Sequence, residues 1–509
     1  MKFLIPVLPI LFITSVFAQT PTPAAARSHV ERFSTPEARA VRIEQETTEK
    51  LQKTPNDAVI LNDRALARLR LQKFAEAFED LKRAIEINPK EADYRANLGY
   101  VLWKLGKGAE AIQAEREALK LDEKNYTANY QLGRFLIRTG DKNLLKEATE
   151  KLKKALEIDT RQYEVRFELI AAFRELGDTA SALAQLDILQ DAKPSDARVG
   201  YVSGLLLVDR GDFKSAEKSF REAVGKDPNL YGAWQDLGLL YAKQNRWSEA
   251  VEAFAELAKK QQNSVETAYF LALSYFNAKK TTEAESEARR ALRLDAGFSD
   301  AHALLGIILA ARGTANPEAM ESLTQAVALA PKNSDAVFYL GRLQYVARDY
   351  QNSLRNLQTA VGLNPKSIEA RFFLGTVFEA ANESEKALAE YQEIIKLDEK
   401  SFYGQVGLGA LYVKQGKLDE AVKALNRAVS IEKNSFEANW ALGRALILQE
   451  KFAEAADILE KAVDLQPTRT DARYQFAIAL RRLGKTEEAK REFDLVEKLN
   501  KEFREGKTQ

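Results

Sequence analysis

A small residue, in most cases preceded by an apolar residue, recurs at a nearly constant interval along almost the whole chain. The interval is 34 residues in ten of the twelve steps, 37 in one and 35 in another. A period of this length is the signature of a repeat architecture, in which each repeat is one supersecondary unit. The chain is therefore expected to be one long array, with no separate second domain. The recurring positions are Ala65, Gly99, Gly133, Ile170, Gly204, Gly238, Ala272, Gly306, Gly341, Gly375, Gly409, Gly443 and Ala477.

Each repeat is predicted to be a pair of amphipathic helices. Between Trp234 and Phe254 the sequence WQDLGLLYAKQNRWSEAVEAF carries apolar residues three and four apart on both sides of a polar stretch, which is the helical period. Gly stands in the equivalent polar stretch of several repeats, where a helix end favours a left-handed residue. Six repeats close on Pro, and the residue before a proline disfavours helix, so the second helix ends there. These closing residues are Pro89, Pro194, Pro228, Pro331, Pro365 and Pro467.

The small residues suggest how the two helices of a repeat pack. Twelve residues after Gly238 stands Ala250, and the same step separates a small pair in most other repeats. Helices approach most closely where neither carries bulk, so we expect Gly238 to lie against Ala250 with large residues interlocking above and below. A leucine at Ala250 would then overpack the crossing and cost about 1–3 kcal/mol.

The pattern resembles the tetratricopeptide repeat family. The match is Trp234, Leu237, Gly238 and Tyr241, followed by Ala250 and Phe254, with Pro closing neighbouring repeats. The resemblance implies an all-α fold, a right-handed α-solenoid or superhelix of helix-turn-helix units. Thirteen repeats cover residues 58–503, with Ile170 and Ser353 as departures at the two small positions. Two insertions, near DKNLLKEA and GTANPEA, are where we expect the superhelix to change pitch.

The two ends differ from the repeats. Residues 1–18 combine Lys2, an apolar run and small residues before a cleavage position after Ala18, which predicts a signal peptide. An uncleaved membrane anchor is the alternative, disfavoured because the run is short and contains Pro6 and Pro9. We interpret residues 19–34 as a linker, 35–57 as an N-terminal capping helix and 504–509 as a polar tail. The signal predicts a periplasmic or secreted protein, with a bacterial envelope favoured, and no integral membrane segment.

Composition argues against several classes of function. The chain has 75 basic and 74 acidic residues, a net charge of +1 and no cysteine, so neither a nucleic-acid partner nor a thiolate metal site is indicated. Its two histidines, His29 and His302, are too few for a clustered zinc site or a catalytic triad. No Gly-rich phosphate loop is present, since the glycines follow the repeat. We therefore predict a protein that is not an enzyme, without catalytic residues, metal or cofactors.

The resemblance implies where a partner would bind. In the family, the second, fifth, ninth and twelfth residues of each first helix line a concave groove. The fifth position is aromatic in eight repeats and the ninth is arginine in three, which predicts a groove for protein or peptide partners. Two alternatives stay open: the rings serve only for packing between repeats, and each arginine pairs with a second-position acid of an adjacent repeat. The candidate groove residues are Tyr130, Arg134, Phe167, Tyr201, Tyr269, Phe338, Arg342, Phe372, Trp440, Arg444 and Tyr474.

Two functions follow from these features. The first is an exported, non-enzymatic scaffold that binds extended protein segments and helps to assemble or support a cell-envelope complex. The alternative is a carbohydrate-binding protein in polysaccharide export or retention, in which the groove aromatics stack on sugars.

Overall fold

The computed structural model of the protein describes residues 35–312 and 316–504. In these ranges the regular structure is entirely helical, with 27 α-helices and one 3-10 helix, Lys142–Leu144. The helices fall into two compact units that divide after Lys260. The helices of the first unit are α1 (Pro36–Lys53), α2 (Ala58–Arg70), α3 (Phe74–Ile87), α4 (Ala92–Lys104), α5 (Gly108–Leu121), α6 (Tyr126–Arg138), α7 (Leu145–Ile158), α8 (Tyr163–Leu176), α9 (Thr179–Ala192), α10 (Ala197–Asp209), α11 (Phe213–Lys226), α12 (Tyr231–Lys243) and α13 (Trp247–Lys260).

The second unit contains seven repeats, and the first contains six after the leading helix α1. The helices of the second unit are α14 (Val265–Asn277), α15 (Thr281–Leu294), α16 (Ser299–Arg312), α17 (Pro317–Leu329), α18 (Ser334–Val346), α19 (Tyr350–Leu363), α20 (Ile368–Ala380), α21 (Ser384–Leu397), α22 (Phe402–Lys414), α23 (Leu418–Ile431), α24 (Phe436–Leu448), α25 (Phe452–Leu465), α26 (Thr470–Arg482) and α27 (Thr486–Arg504). Within each unit every helix packs against the next, and first helices of neighbouring repeats also touch, as α20 and α22 do. The predicted all-α solenoid of thirteen helix pairs is confirmed.

In nine repeats the first helix carries a glycine that makes room for a large side chain of the second helix. A Cβ added to Gly238 would lie 2.7 Å from the ring of Phe254, and one on Gly409 would lie 2.4 Å from Leu425 Cγ. The small residue of the second helix also lies beside the glycine at equivalent places, as expected for Gly238 and Ala250. Ser353 Oγ donates to the Gly341 carbonyl at 2.7 Å, and the Ala319 carbonyl oxygen would lie 3.1 Å from a Cβ on Gly306. Ala250 is fully buried, but the residue four positions further along the second helix fills the space at the glycine, because its bulk can only fit where the opposing helix has no side chain.

A residue with positive φ links the two helices of a repeat. It is Gly at six turns, such as Gly416 with φ 75°, as the sequence indicated. At six other turns a residue with a side chain takes the same conformation, for example Arg348 (φ 62°) and Glu450 (φ 62°). These positions carry the strain that a Cβ brings to left-handed backbone.

A polar contact joins most repeats to the turn before them. In nine repeats the fourth residue of the first helix bonds to the backbone carbonyl six residues earlier, in the turn that closes the preceding repeat. Trp234 Nε1 donates to the Pro228 carbonyl at 3.1 Å, and the fully buried Asn439 donates to Lys433 and Ser435. The residues that make this contact are Arg95, Asn129, Arg166, Trp234, His302, Arg371, Gln405, Asn439 and Arg473.

His302 belongs to this set. Its Nε2 lies 3.0 Å from the Ala296 carbonyl oxygen, and the side chain is half-buried. This contact gives His302 the same structural role as the other fourth-position residues.

The described part of the chain begins and ends with helices outside the standard repeat length. Thr35 Oγ1 caps α1 by accepting the Ala38 N–H at 3.1 Å, and Leu51 of α1 packs on Leu61 of the first repeat. Helix α27 extends to 19 residues, with Phe493, Val496 and Leu499 half-buried along one side.

Several sequence predictions concern residues outside the described ranges. The signal peptide and linker (1–34), part of the second insertion (313–315) and most of the polar tail (505–509) belong to this group. The first insertion forms the 3-10 helix, capped by Asp141. The expected changes of pitch stay predictions.

Candidate functional site

In each unit the candidate residues lie on the first helices of the repeats, and we call the surface that these residues form the first-helix face. It is formed by the second, fifth, sixth and ninth residues of the first helices. Of the eight aromatic rings at the fifth position, seven are half-buried and only Tyr474, with 48% of its surface exposed, is open. Each ring therefore presents only part of its surface, and the rest contacts neighbouring residues.

In the first unit, Tyr130 and Arg134 form a joined pair. The Arg134 guanidinium lies 5.1 Å from the centroid of the Tyr130 ring, and Tyr130 in turn stacks on Tyr126 at 5.9 Å. Burial raises the pKa of Tyr130 to about 12, so its hydroxyl stays protonated at neutral pH. Arg134 Nε donates to Glu168 Oε1 of the next repeat at 3.0 Å. Arg134 therefore pairs with an acid of the adjacent repeat, as one of the two alternatives from the sequence proposed. The acid, however, is the sixth residue of its first helix and not the second.

Phe167 contacts a second cation from the repeat that follows. The guanidinium of Arg198 lies 4.5 Å from the Phe167 centroid, and its two terminal nitrogens donate to the Glu164 carboxylate at 2.8 and 2.9 Å. Arg198 occupies the second position of its repeat, the place of an acid in most others. The second-position acid Glu164 is therefore neutralised within the protein.

Tyr201 uses its hydroxyl within the array. It donates to Asp236 of the next repeat at 2.8 Å, and a Cβ on Gly232 would lie 2.9 Å from the same hydroxyl. Burial raises the pKa of Asp236 to about 6, while the Tyr201 hydrogen bond and the charge of Arg174 lower it. Arg174 itself is held by Asp209 at 2.6 Å. The polar groups of this part of the face bond mainly to one another across repeat boundaries.

In the second unit, the face is dominated by a cluster of rings. Phe372 lies 5.6 Å from Phe373 and 5.1 Å from Tyr403, and Phe338 lies 5.0 Å from Tyr339 and 5.8 Å from Phe373. These rings come from three consecutive first helices, α18, α20 and α22. We call the five residues Phe338, Tyr339, Phe372, Phe373 and Tyr403 the aromatic cluster.

Arg342 adjoins the aromatic cluster and lacks a carboxylate partner. Its guanidinium lies 5.6 Å from the Tyr339 centroid and 5.7 Å from that of Phe373. Among the described residues, no carboxylate oxygen lies within 4.0 Å of it. Arg444, three repeats further, is exposed and lies 6.0 Å from the Trp440 ring, again with no such carboxylate in the described ranges. For these two arginines the predicted pairing with an adjacent acid is wrong, because the rings occupy the positions beside them.

The remaining candidate rings also make internal contacts. Tyr269 meets Phe298 edge-on at 5.5 Å, and Tyr474 meets Phe493 of α27 at 5.6 Å. Trp440 packs against two groups of buried apolar residues, one that includes Leu442 and one that includes Phe436. The candidate rings thus pack against neighbouring residues, as the packing alternative proposed. Their role in binding a partner stays a prediction.

Sequence reasoning missed the sixth position of the first helix. Glu168, Asp236, Tyr339 and Phe373 all stand there, and each contacts a fifth- or ninth-position residue on the same face. The sequence could have indicated this position, because the sixth residue directly follows the fifth and recurs with the same 34-residue period.

The sequence also did not indicate which second-position acids are unpaired. In the second unit five of them, which we call the acid edge, have no lysine or arginine within 4.0 Å among the described residues. Four are exposed and Asp300 is half-buried. The acid edge consists of Glu266, Asp300, Asp335, Glu369 and Glu437.

Neither a metal centre nor a membrane span is found in the described structure. Across residues 35–312 and 316–504, no three His, Cys, Asp or Glu side chains are grouped so that they could hold a metal ion. In the same ranges no helix combines the length and apolar character needed to cross a bilayer.

Stacked helix pairs of constant length, packed through a periodic glycine, define an α-solenoid repeat protein. A family profile described as tetratricopeptide repeat matches residues 62–126, 167–231, 340–402 and 406–470, about half of the chain. A second profile of the same description matches residues 207–274 and 446–506. The chain belongs to the tetratricopeptide repeat family, whose solenoids are typically scaffolds for protein interaction.

Relatives and solved structures agree with this assignment. The peroxisomal targeting signal receptor of Saccharomyces cerevisiae is 27% identical over 210 residues, 40% of this chain and 34% of the receptor. A TPR repeat-containing protein of Methanocaldococcus jannaschii, MJ1428, is 28% identical over 203 residues, 36% of this chain and 35% of that protein. The matched segments thus span about a third of each relative's length.

A crystal structure of the APC/C hetero-tetramer Cut9-Hcn1 is similar in fold. It superposes with a TM-score of 0.50 at 15% identity, covering 89% of this chain and 98% of that one. At this identity the likeness concerns the fold alone.

Proposed function

We propose that the protein is an exported, non-enzymatic scaffold that binds extended segments of partner proteins along its first-helix face and supports a multi-protein complex of the cell envelope. The observation that carries the proposal is the second unit's face, where the aromatic cluster lies beside Arg342, a guanidinium without a carboxylate partner. Partly exposed rings beside unpaired charged groups are typical of the anchoring residues of protein interfaces.

Membership in the tetratricopeptide family supports the binding of proteins. Solenoids expose long surfaces that suit extended partners, and one relative is named as a receptor for a targeting signal. The export part rests on the N-terminal sequence, in which an apolar run and small residues precede Ala18. Mass spectrometry of the mature protein should find Gln19 at its N-terminus; an intact Met1 in the envelope fraction would contradict the cleaved signal.

Site-specific photo-crosslinking tests the binding face. Tyr403 (37% exposed) and Tyr474 (48% exposed) lie on the first-helix face, whereas Tyr350 (40% exposed) begins a second helix. With benzoylphenylalanine at each position in turn, expressed in the native host, we expect discrete protein adducts from the first two and none from Tyr350. Equal labelling from all three positions, or none from Tyr403 and Tyr474, would refute a specific face.

No observation favours the carbohydrate alternative. The rings at Tyr201 and Phe372 are engaged with Asp236 and with Phe373 and Tyr403, and a sugar needs an open ring face on which to stack. Titration of the exported protein with envelope polysaccharide would reopen the alternative only if binding occurred and was lost in Tyr201→Ala and Phe372→Ala.

A further inference from the structure

The first-helix face of the second unit is divided across its width. The acid edge stands at the second position of the first helices, and Arg342 and Arg444 stand at the ninth. The aromatic cluster lies at the fifth and sixth positions, except Tyr403, which takes the second position in α22. Acids and rings lie close together: burial, against the charge of Arg342 and with that of Asp335 and Glu369, raises the pKa of Tyr339 to about 12. An apolar strip is thus flanked by negative charge on one side and positive charge on the other.

The carboxylates of the acid edge are available to a partner. Glu369 makes no hydrogen bond and no ion pair among the described residues, and Glu266 and Glu437 accept only from the serines that cap their helices, Ser264 and Ser435. Asp300 and Asp335 accept from Asn333 and Ser334, neither of which carries a charge. In the first unit Asp93 accepts from Asn125 in the same way, whereas Glu164 is held by Arg198. The acid edge therefore keeps its negative charge unpaired among the described residues.

The spacing of the acid edge suits an extended chain. First helices of neighbouring repeats contact each other from α14 through α24, and packed helices lie about 8–10 Å apart. An extended peptide in the polyproline II conformation rises about 3.1 Å per residue with three residues per turn. One turn therefore spans roughly one repeat, and every third side chain points the same way. Cationic side chains at every third residue would meet successive carboxylates, while apolar side chains between them would reach the aromatic cluster.

From this complementarity we infer that the second unit binds an extended protein segment with a lysine or arginine at about every third residue and apolar residues between them. The inference rests on the proposed function and specifies its partner. The basic side chains face the acid edge, the apolar ones pack on the aromatic cluster, and Arg342 lies on the far side, where it suits backbone carbonyls. The arrangement disfavours an acidic segment, whose carboxylates would face Asp335 and Glu369.

Fluorescence anisotropy with the full mature chain tests the inference directly. The probe is a labelled 15-residue peptide with lysine at every third position and leucine and serine between, compared with the same peptide carrying glutamate in place of lysine. We expect saturable binding of the lysine peptide that weakens as salt rises, because exposed charges are screened, and no binding of the glutamate peptide. Equal binding of both, or no binding of the lysine peptide up to millimolar concentration, would overturn the inference.

Matched variants locate the contact. The double variant Asp335→Asn with Glu369→Gln keeps the shape of the face, and we expect about fivefold weaker binding, as two exposed ion pairs typically contribute. The control variant, Glu385→Gln with Glu460→Gln, removes two exposed acids from second helices and should bind as the wild type does. Equal weakening in both variants would show an effect of net charge alone and refute the acid edge as the site.

The outcome separates this inference from the proposed function. Photo-crosslinks at Tyr403 to a partner segment that lacks this basic spacing would leave the scaffold function standing and refute the inference. Absence of crosslinks together with peptide binding that ignores the acid edge would refute both.

Discussion

The carboxyl group of Glu115 occupies the space opposite Gly99. A Cβ on Gly99 would lie 2.5 Å from Glu115 Oε1, and the Glu115 side chain is fully buried with neither oxygen hydrogen-bonded. In the repeats of Gly204, Gly238 and Gly409 the same place is filled by a phenylalanine or leucine. One repeat therefore places an acid in an apolar site, where burial raises the pKa of Glu115 well above its ordinary value.

We expect Glu115→Leu to stabilise the protein at pH 7 by about 2 kcal/mol, because an unpartnered polar group buried away from water costs about 1–3 kcal/mol. The native carboxyl holds its proton to higher pH than the unfolded one, so the wild type loses stability as pH rises above about 4.5. Urea denaturation between pH 4 and pH 8 checks both effects. The neutral control Glu115→Gln should remove the part of the pH dependence that Glu115 contributes, and a Glu115→Leu variant less stable than wild type at pH 7 would contradict the account.

Asp236 provides a second pH-dependent site with a narrower range. Its pKa is raised to about 6 by burial, so the folded protein binds a proton more tightly than the unfolded chain between the ordinary aspartate pKa and about 6. Stability contributed by this site is present at low pH and is lost as pH rises through that interval. Asp236→Asn, which keeps an acceptor for the Tyr201 hydroxyl, should become more stable relative to wild type from pH 4 to pH 7. A constant difference in urea midpoint across this range would show that Asp236 titrates normally.

Substitutions at the left-handed residues of two equivalent turns should change the stability of the protein in opposite directions. Glu450 adopts φ 62° and Gly416 adopts φ 75° in successive turns. Since a side chain in left-handed backbone costs about 1–2 kcal/mol, Glu450→Gly should stabilise the protein by roughly 1 kcal/mol and Gly416→Ala should destabilise it by a similar amount. Thermal denaturation of the two variants measures both. Gly225 serves as control: it lies within α11 with open space around it, and there Gly→Ala should stabilise.

The buried asparagines predict a loss of stability at two matched positions. Asn439 donates to Lys433 and Ser435 carbonyls, and Asn129 makes the equivalent bonds to Glu123 and Asn125. We expect alanine at either position to destabilise by about 1–3 kcal/mol, because the Lys433 or Glu123 carbonyl loses its donor. The Ser435 and Asn125 carbonyls still accept the backbone N–H of the substituted residue. Amide hydrogen exchange at the start of α24 and of α6 should increase in the respective variant only. Unchanged exchange in both helices would show that these asparagine hydrogen bonds do not stabilise the helix starts.

Much of the fold was predictable because the helical period and the 34-residue interval are visible in the sequence. The spacing of Trp234 and Gly238 predicts the first helix of their repeat, Phe254 belongs to the second, and the polar stretch between them predicts the turn. The partner of Gly238 was not predictable in the same way, since spacing shows that two small residues recur but does not show which side chain of the second helix points at the crossing. Phe254 does so in the structure.

The candidate site was less predictable than the fold. The aromatic residues at the fifth position were visible, but their neighbours belong to other repeats, and cross-repeat contacts such as Tyr201 with Asp236 require the packing of successive first helices. The same limitation applies to charge. Glu164 and Glu369 stand at the same position of their repeats, yet only Glu164 meets an arginine, because the next repeat supplies Arg198 at the one place and Tyr403 at the other.

The contact between each glycine and the large side chain of its own second helix lies within a single repeat. A repeat that contains both residues of this helix–helix contact can be duplicated or deleted as a whole, because each copy carries both the glycine and its large partner. Lengthening of such a gene by internal duplication would preserve this interaction in each new copy, whereas contacts such as Arg198 with Glu164, which depend on the neighbour, would have to be rebuilt at the junction.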